Sequence, residues 1–580
     1  MNTAFADTEH GPWNPGLSST IKPNLMPRVT IYDPANGLVP WETARDLAEA
    51  TGLKPQELAT FRPERLLLHH VMIRVTAETH VPDGPSYADL GINLRSMAAD
   101  IYAMEVEPRL PDLRRAFEDA RSRARTVIRA ELEDSVFGRL PVAEPKGFLR
   151  RLFGPASPRP PTASRDERAL AASAAWAERA DDEAEPLHAS CLRAMSRTVG
   201  AALAHRGSLV LPQDIIEDVA VNMVSNDHVD ALLAGRVAPL FDIAAERLGF
   251  FRLPSQSEPV VLNAKGASAS GKSSIRSQQR RIAKKLGIDW KNFAIISPDY
   301  WRKLLIDYDG LGDDYRYAAM LTGQELEIID RKLDALMAEK ASCGTVPHML
   351  IDRFRFDSFL TAKTGAAESS LLTRFGARIY MFFLITPPEE TVVRAWERGL
   401  ETGRYKAVDD LLFHNIEAYS GMPGLFFAWA RLEDRWVHYE FLDNSVPLGT
   451  PPRTIAFGQN GNFVVLDLER LCDVERFRHV DVNASTADQV IGRTLDWQEA
   501  MAFVRSACAE LAEVAFVVPG TDRIFAKSTG RKILVDTSSL PEGIAPSDFG
   551  SHEITTENLG TFDPGTAAHV IGDLGCGRHA

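Results

Sequence analysis

Gly266 and Gly271 are separated by four residues, and Lys272 and Ser273 follow the second glycine at once. A backbone curling through glycines can turn successive N–H groups inward on an anion, and a helix starting there adds the positive end of its dipole. A lysine in that position reaches the outer phosphates of a nucleotide, and a serine hydroxyl can ligate magnesium. Gly266, Ala267, Ser268, Ala269, Ser270, Gly271, Lys272, Ser273 and Ser274 therefore read as a phosphate-binding loop. The required context is present, with an apolar run over 260–263 before the loop and a helical pattern over 273–286 after it.

ATPases, GTPases and kinases share such a loop, so the residues downstream must discriminate. No Asn-Lys-x-Asp guanine signature occurs. Asp299 lies just past the β-prone run 293–297, with Arg302 close behind, and could take the proton from a substrate hydroxyl. Capping of the helical turn 300–305 is its structural alternative. Asp352 closes the run 348–352 and is followed by Arg353 and Arg355; it could hold magnesium, contact substrate, or pair with those arginines. The run Arg394-Ala395-Trp396-Glu397-Arg398-Gly399 is followed by Gly403-Arg404, and Arg398 and Arg404, which bracket a Gly-containing stretch, could reach a transferring phosphoryl group from a lid.

These residues need a scaffold that brings strand ends together. Runs at 260–263, 293–297, 348–352, 378–386 and 436–442 alternate with helical patterns at 273–286, 322–340, 366–374 and 389–400. That alternation predicts a parallel sheet with crossover helices, whose carboxyl edge is where α/β folds bind ligands. The expected fold class is thus an α/β P-loop core, preceded by an all-helical N-terminal region and followed by a mixed α+β C-terminal region.

The rest of the 580-residue chain divides by texture. Residues 1–40 form an irregular, proline-rich leader; 41–140 are helical; 141–166 are a Pro/Arg-rich linker or loop; 167–250 are helical again. The core covers 255–446. Residues 449–580 mix β-prone runs (454–457, 463–466, 514–518, 532–535) with a helix near 497–511. His69 and His70 are adjacent, so on a helix they diverge by about 100° and read as ordinary histidines rather than shared metal ligands.

Hydrophobic residues make up 45% and charged residues 25%, the mixture of a folded globular chain. The net charge of −14 and the absence of a basic, aromatic-studded groove argue against a nucleic-acid partner. Five scattered cysteines suit a reducing cytoplasm, and the longest strongly apolar run, 379–385, is too short for a membrane span. Secretion as an effector through an irregular N-terminus is compatible with the same sequence.

Six features in order resemble the zeta-toxin family of P-loop small-molecule kinases: the loop at 266–273, Asp299 with Arg302, Asp352, Glu397-Arg398, Gly403-Arg404, and Leu442-Asp443-Asn444-Ser445. The resemblance spans roughly 255–446. It implies ATP and Mg2+, with Lys272 and Ser273 on phosphate and metal, Asp299 as general base, and Arg398 and Arg404 as lid arginines. The chain departs from the family where members place a substrate-binding Glu, since Asp352 followed by Arg353 stands there. Asp352, Arg353 and Arg302 are read from their own positions as metal- or substrate-binding residues. Members phosphorylate a sugar hydroxyl, commonly of UDP-N-acetylglucosamine; a related branch of bacterial effectors phosphorylates the adenosine ribose of NAD. Separate antitoxins shield the nucleotide site in this family, so an antitoxin or chaperone partner is compatible with the resemblance, and the fused helical region could act as such a shield here. From a different class, a nucleotide-sensing interaction protein without turnover fits the same loop.

Overall fold

The computed structural model describes residues 10–84, 86, 88–138, 164–353, 372–447, 449–530, 532–550 and 553–575. The chain forms two compact units, one of Lys22–Val71 with Ala98–Gly249, the other of Met1–Ile21, Met72–Met97 and Phe250–Ala580.

The first of these is built from helices. Leu110–Leu132 shows why: Leu113, Phe117, Ala120, Ala124, Ile128 and Leu132 recur at three- and four-residue intervals and are its buried side chains. Ser164 caps Arg165–Asp182 and Glu167 completes the capping box, while Pro186–Arg206 ends on Gly207 in the left-handed conformation. His69 and His70 are core residues: His69 meets the edge of Phe61 at 4.8 Å, and His70 Nε2 lies 2.8 Å from Asp230 Oδ1. Of the Pro/Arg-rich stretch 141–166, residues before 164 lie outside the described residues.

The second unit is organised by one mixed sheet of eleven strands, which makes the fold α/β. Its first five strands are β1 (Val260–Lys265), β2 (Phe293–Ile296), β3 (His348–Asp352), β4 (Arg378–Ile385) and β5 (Trp436–Asp443). They pair in parallel in the order β5-β4-β1-β3-β2. All six residues of β1 and seven of the eight in β4 are buried, as expected of parallel strands covered on both faces. From β1 the chain builds β2 and β3 on one side, then crosses to build β4 and β5 on the other. The carboxyl end of β1 is therefore the switch point, where open α/β sheets leave a crevice.

Helices Arg276–Lys285, Gly323–Ser342 and Pro388–Thr402 fall where the periodicity places them. The pattern at 366–374 lies largely outside the described residues, and its end is a short 3-10 turn, Leu372–Phe375. Val408–Ala430 is a long helix the sequence reading misses. Its buried residues recur at three- and four-residue spacing from Leu411 to Ala430, but Gly421, Pro423 and Gly424 read as breakers and Phe413 leaves an apolar residue on the exposed face.

The strands after residue 449 extend the same sheet: β6 (Arg453–Gln459), β7 (Asn462–Val465), β8 (Glu513–Val517), β9 (Ile524–Thr529), β10 (Lys532–Val535) and β11 (Glu553–Thr556). The extension begins antiparallel at β5–β6. β9 and β11 are further elements that the sequence reading misses; β11 is wholly exposed and offers no apolar alternation. Among the described residues no helix is long and apolar enough to cross a membrane, and Cys191, Cys343, Cys472 and Cys508 are free thiols.

Glu440, fully buried on β5, ties the C-terminal segment down. Its carboxylate accepts from Thr454 Oγ1 (2.5 Å), Ile571 N (3.0 Å) and Gly572 N (2.9 Å). Burial pushes its pKa up to about 7, against the pull of these donors. A carboxyl whose folded pKa is raised stabilises the fold below its unfolded value and loses that contribution as pH rises through the folded one. Melting temperature should therefore fall between pH 5 and 8, by the equivalent of about 3 kcal/mol at most, and Glu440→Gln should flatten that dependence. Parallel melting curves for the two proteins against pH check it.

Candidate functional site

The loop at the end of β1 is held by the ends of two neighbouring strands. Ser270 O accepts from Thr386 Oγ1 (3.1 Å), just past β4, and from Asn444 Nδ2 (2.7 Å), just past β5. Tyr419 steadies Thr386, accepting from its N–H at 2.9 Å and donating to its carbonyl at 2.8 Å. Ala269 and Gly271 both adopt positive φ, +62° and +91°, so the loop turns back on itself before the helix begins. Lys272 folds over that turn, its Nζ donating to Ala267 O at 2.8 Å and Gly266 O at 3.2 Å. Burial pushes the Lys272 ammonium down to about 8.

Ser273 Oγ donates to Asp352 Oδ2 at 2.5 Å, and Arg276 NH2 lies 3.8 Å from the same oxygen. Asp352 is 8% exposed. A hydroxyl and a carboxylate at that separation, beside the loop, fit a divalent cation shared with a polyphosphate. No cluster of three His, Cys, Asp or Glu able to hold a metal occurs among the described residues, so a cation here would draw its remaining ligands from nucleotide and water.

Asp299 sits in the 3-10 turn Pro298–Trp301 that follows β2. It caps no helix. Its carboxylate is gripped by Arg302 Nε at 3.2 Å and by Arg404 NH2, and its side chain is about a third exposed. Burial would raise its pKa, but Arg404, Arg302 and Arg398 outweigh it and hold the group well below the usual carboxylate range. Arg302 is itself anchored by Thr322 Oγ1 at 2.7 Å. Arg398 stands on the helix Pro388–Thr402, where its charge acts on both Asp299 and Lys272.

The structure thus gathers the loop, Asp299, Arg302, Asp352, Arg398 and Arg404 at the carboxyl edge of the sheet. Arg353 goes elsewhere. Its guanidinium lies 2.6 Å from Asp330 Oδ2 and 3.1 Å from Asp334 Oδ1, tying β3 to the helix Gly323–Ser342. Arg355 lies outside the described residues. Arg394 donates to Asn444 O at 2.7 Å and to Glu390 at 2.8 Å, tying the helix Pro388–Thr402 to the end of β5.

Sequence reasoning missed several neighbours. Asp299 opens on a small cleft walled by Arg95, Lys303, Tyr308 and Arg404, with Gly91 approaching Tyr300. Lys406 and His414 collect on Ser268, His414 Nδ1 at 3.0 Å and Lys406 Nζ at 3.2 Å from its hydroxyl, and Asp410 lies beside both. The signal available was the alternation in Arg404-Tyr405-Lys406-Ala407, which puts both cations on one side of an extended strap. A larger cavity, of about 990 Å³, lies among Ala377, Arg435, Trp436 and Asn460 at the amino ends of β4 and β5, away from these groups.

Comparison with protein-family models, with curated proteins and with solved structures returned no match.

Proposed function

We propose that the chain is an ATP-dependent phosphotransferase that moves the γ-phosphoryl group to a sugar hydroxyl of a small nucleotide-type metabolite, such as UDP-N-acetylglucosamine or NAD. One observation carries this reading: a glycine-flanked Lys-Ser loop and a carboxylate gripped by strap and turn arginines share the switch-point edge of a parallel sheet. A P-loop kinase core and the zeta-toxin resemblance agree with that arrangement.

In this reading the N–H groups of the loop and Lys272 hold the polyphosphate; Ser273 and Asp352 would hold magnesium, which would supply charge neutralisation on the phosphates. Asp299 accepts the proton of the acceptor hydroxyl. The freed oxygen forms a bond to the γ-phosphorus, the bond to the bridging oxygen breaks, and ADP carries that oxygen away. Arg404 links the two events. While it lies on Asp299 it keeps the carboxylate a poor base; drawn to the transferring phosphoryl, it releases the carboxylate's proton affinity at the moment it is needed.

The test is to incubate the full chain with ATP, magnesium and a metabolite extract, and to search by mass spectrometry for a species gaining one phosphate. Acceptor-dependent ADP formation over many turnovers is the expected result. Stoichiometric nucleotide binding with no phosphorylated product would instead support a nucleotide-sensing protein.

A further inference from the structure

Resting on the phosphotransferase reading, we propose that Lys406 is a further phosphate-contacting residue, placed to hold an oxygen of the terminal phosphoryl group between Ser268 and Asp299. It lies on the strap 403–407, which joins the helices Pro388–Thr402 and Val408–Ala430 without secondary structure of its own.

The strap presents its residues alternately. Tyr405 and Ala407 are 3% and 1% exposed, whereas Arg404 and Lys406 turn the other way. Tyr405 is the anchor: its ring packs at 5.4 Å from Trp396 and 5.7 Å from Tyr315, with the Arg316 guanidinium 5.4 Å from its centroid. With Tyr405 seated, the two flanking cations must face the loop and Asp299. Arg404 reaches Asp299, and Lys406 reaches the loop hydroxyl of Ser268.

Asp410 and His414, on successive turns of the following helix, complete the seat. Lys406 Nζ lies 3.3 Å from Asp410 Oδ2 and touches His414 Nδ1. Burial and the Lys406 charge push the His414 imidazole down to about 2, so it stays neutral and can accept from the ammonium group. Burial is also the main cause that pushes Lys406 itself down, to about 8. A desolvated ammonium becomes more favourable when an anion arrives. Among the described residues six cations, Lys272, Arg276, Arg302, Arg398, Arg404 and Lys406, stand against three carboxylates, Asp299, Asp352 and Asp410, and that excess of positive charge suits a polyanion. The terminal phosphoryl is the part that must lie between loop and base, which is where Lys406 sits.

The alternative is a purely structural lysine that pins the helix through Asp410. Titrating the full chain with fluorescent ATP and ADP in the presence of magnesium separates the two. Lys406→Met should weaken ATP by about tenfold or more and ADP by less than about threefold, and Lys406→Arg should recover most of the ATP affinity. Equal losses for both nucleotides, or none, overturn the assignment. Melting curves accompany each variant; should Lys406→Met be unfolded, Lys406→Gln, which keeps a donor without the charge, decides by the same ATP-to-ADP ratio. Failure of the unmodified chain to bind ATP would overturn the phosphotransferase reading and this one with it. Tight wild-type binding with an unchanged Lys406→Met ratio defeats this one alone.

Discussion

Replacing Asp299 with asparagine is expected to lower turnover by about a thousandfold while ATP affinity stays within about threefold. The substitution keeps the size of the side chain and one acceptor oxygen for Arg302 or Arg404, but removes the group that can take a proton. The hydrogen bonds that seat the loop side chains run elsewhere, Lys272 to Gly266 and Ala267 and Ser273 to Asp352. Single-turnover transfer to the acceptor found by mass spectrometry, with nucleotide titration alongside, measures both quantities. Turnover within tenfold of the unmodified chain would remove Asp299 from the role of base.

The second large effect is expected at Gly271. Its φ of +91° costs a residue with a Cβ about 1–2 kcal/mol. A Cβ there would also stand 2.2 Å from Asn444 Nδ2, the donor that holds Ser270 O, and 3.0 Å from Ser274 Oγ. Asn444 cannot yield without giving up one of the two donors that hold Ser270 O. Gly271→Ala should therefore weaken ATP binding about 100-fold, equivalent to about 2.7 kcal/mol, and lower the melting temperature as well, because the strain and the clash fall on the folded state. Gly207→Ala is the control: φ is +73° at that helix end, but nothing lies within 4 Å of its Cβ, so only stability should respond. Unchanged ATP affinity in Gly271→Ala would mean that the loop does not cradle phosphate.

The legible parts of the chain were those with local causes. β1 and β4 announce themselves as continuous apolar runs, Gly271 and Lys272 as a turn entering a helix, and Asp299 and Asp352 as carboxylates at strand ends. The helix Val408–Ala430 was hidden because Gly421, Pro423 and Gly424 read as breakers and its outer face carries apolar residues such as Phe413, although its buried residues keep the helical period. Arg353 could not be assigned from its neighbours in sequence, because its partners, Asp330 and Asp334, come from a helix that precedes β3. Arg95 at the Asp299 cleft was equally invisible, since it is about two hundred residues away along the chain.

By itself the sequence determined which groups could do chemistry and which elements carry them, because loop glycines, strand runs and helix periods are set by near neighbours. Tertiary structure alone decided which of those groups meet. The crossing of the sheet at β1 brings Thr386, Asn444, Asp299 and Asp352 around one loop, and the seating of Tyr405 turns Arg404 and Lys406 toward it. Those encounters depend on strand order and on packing between distant segments, which no local pattern specifies.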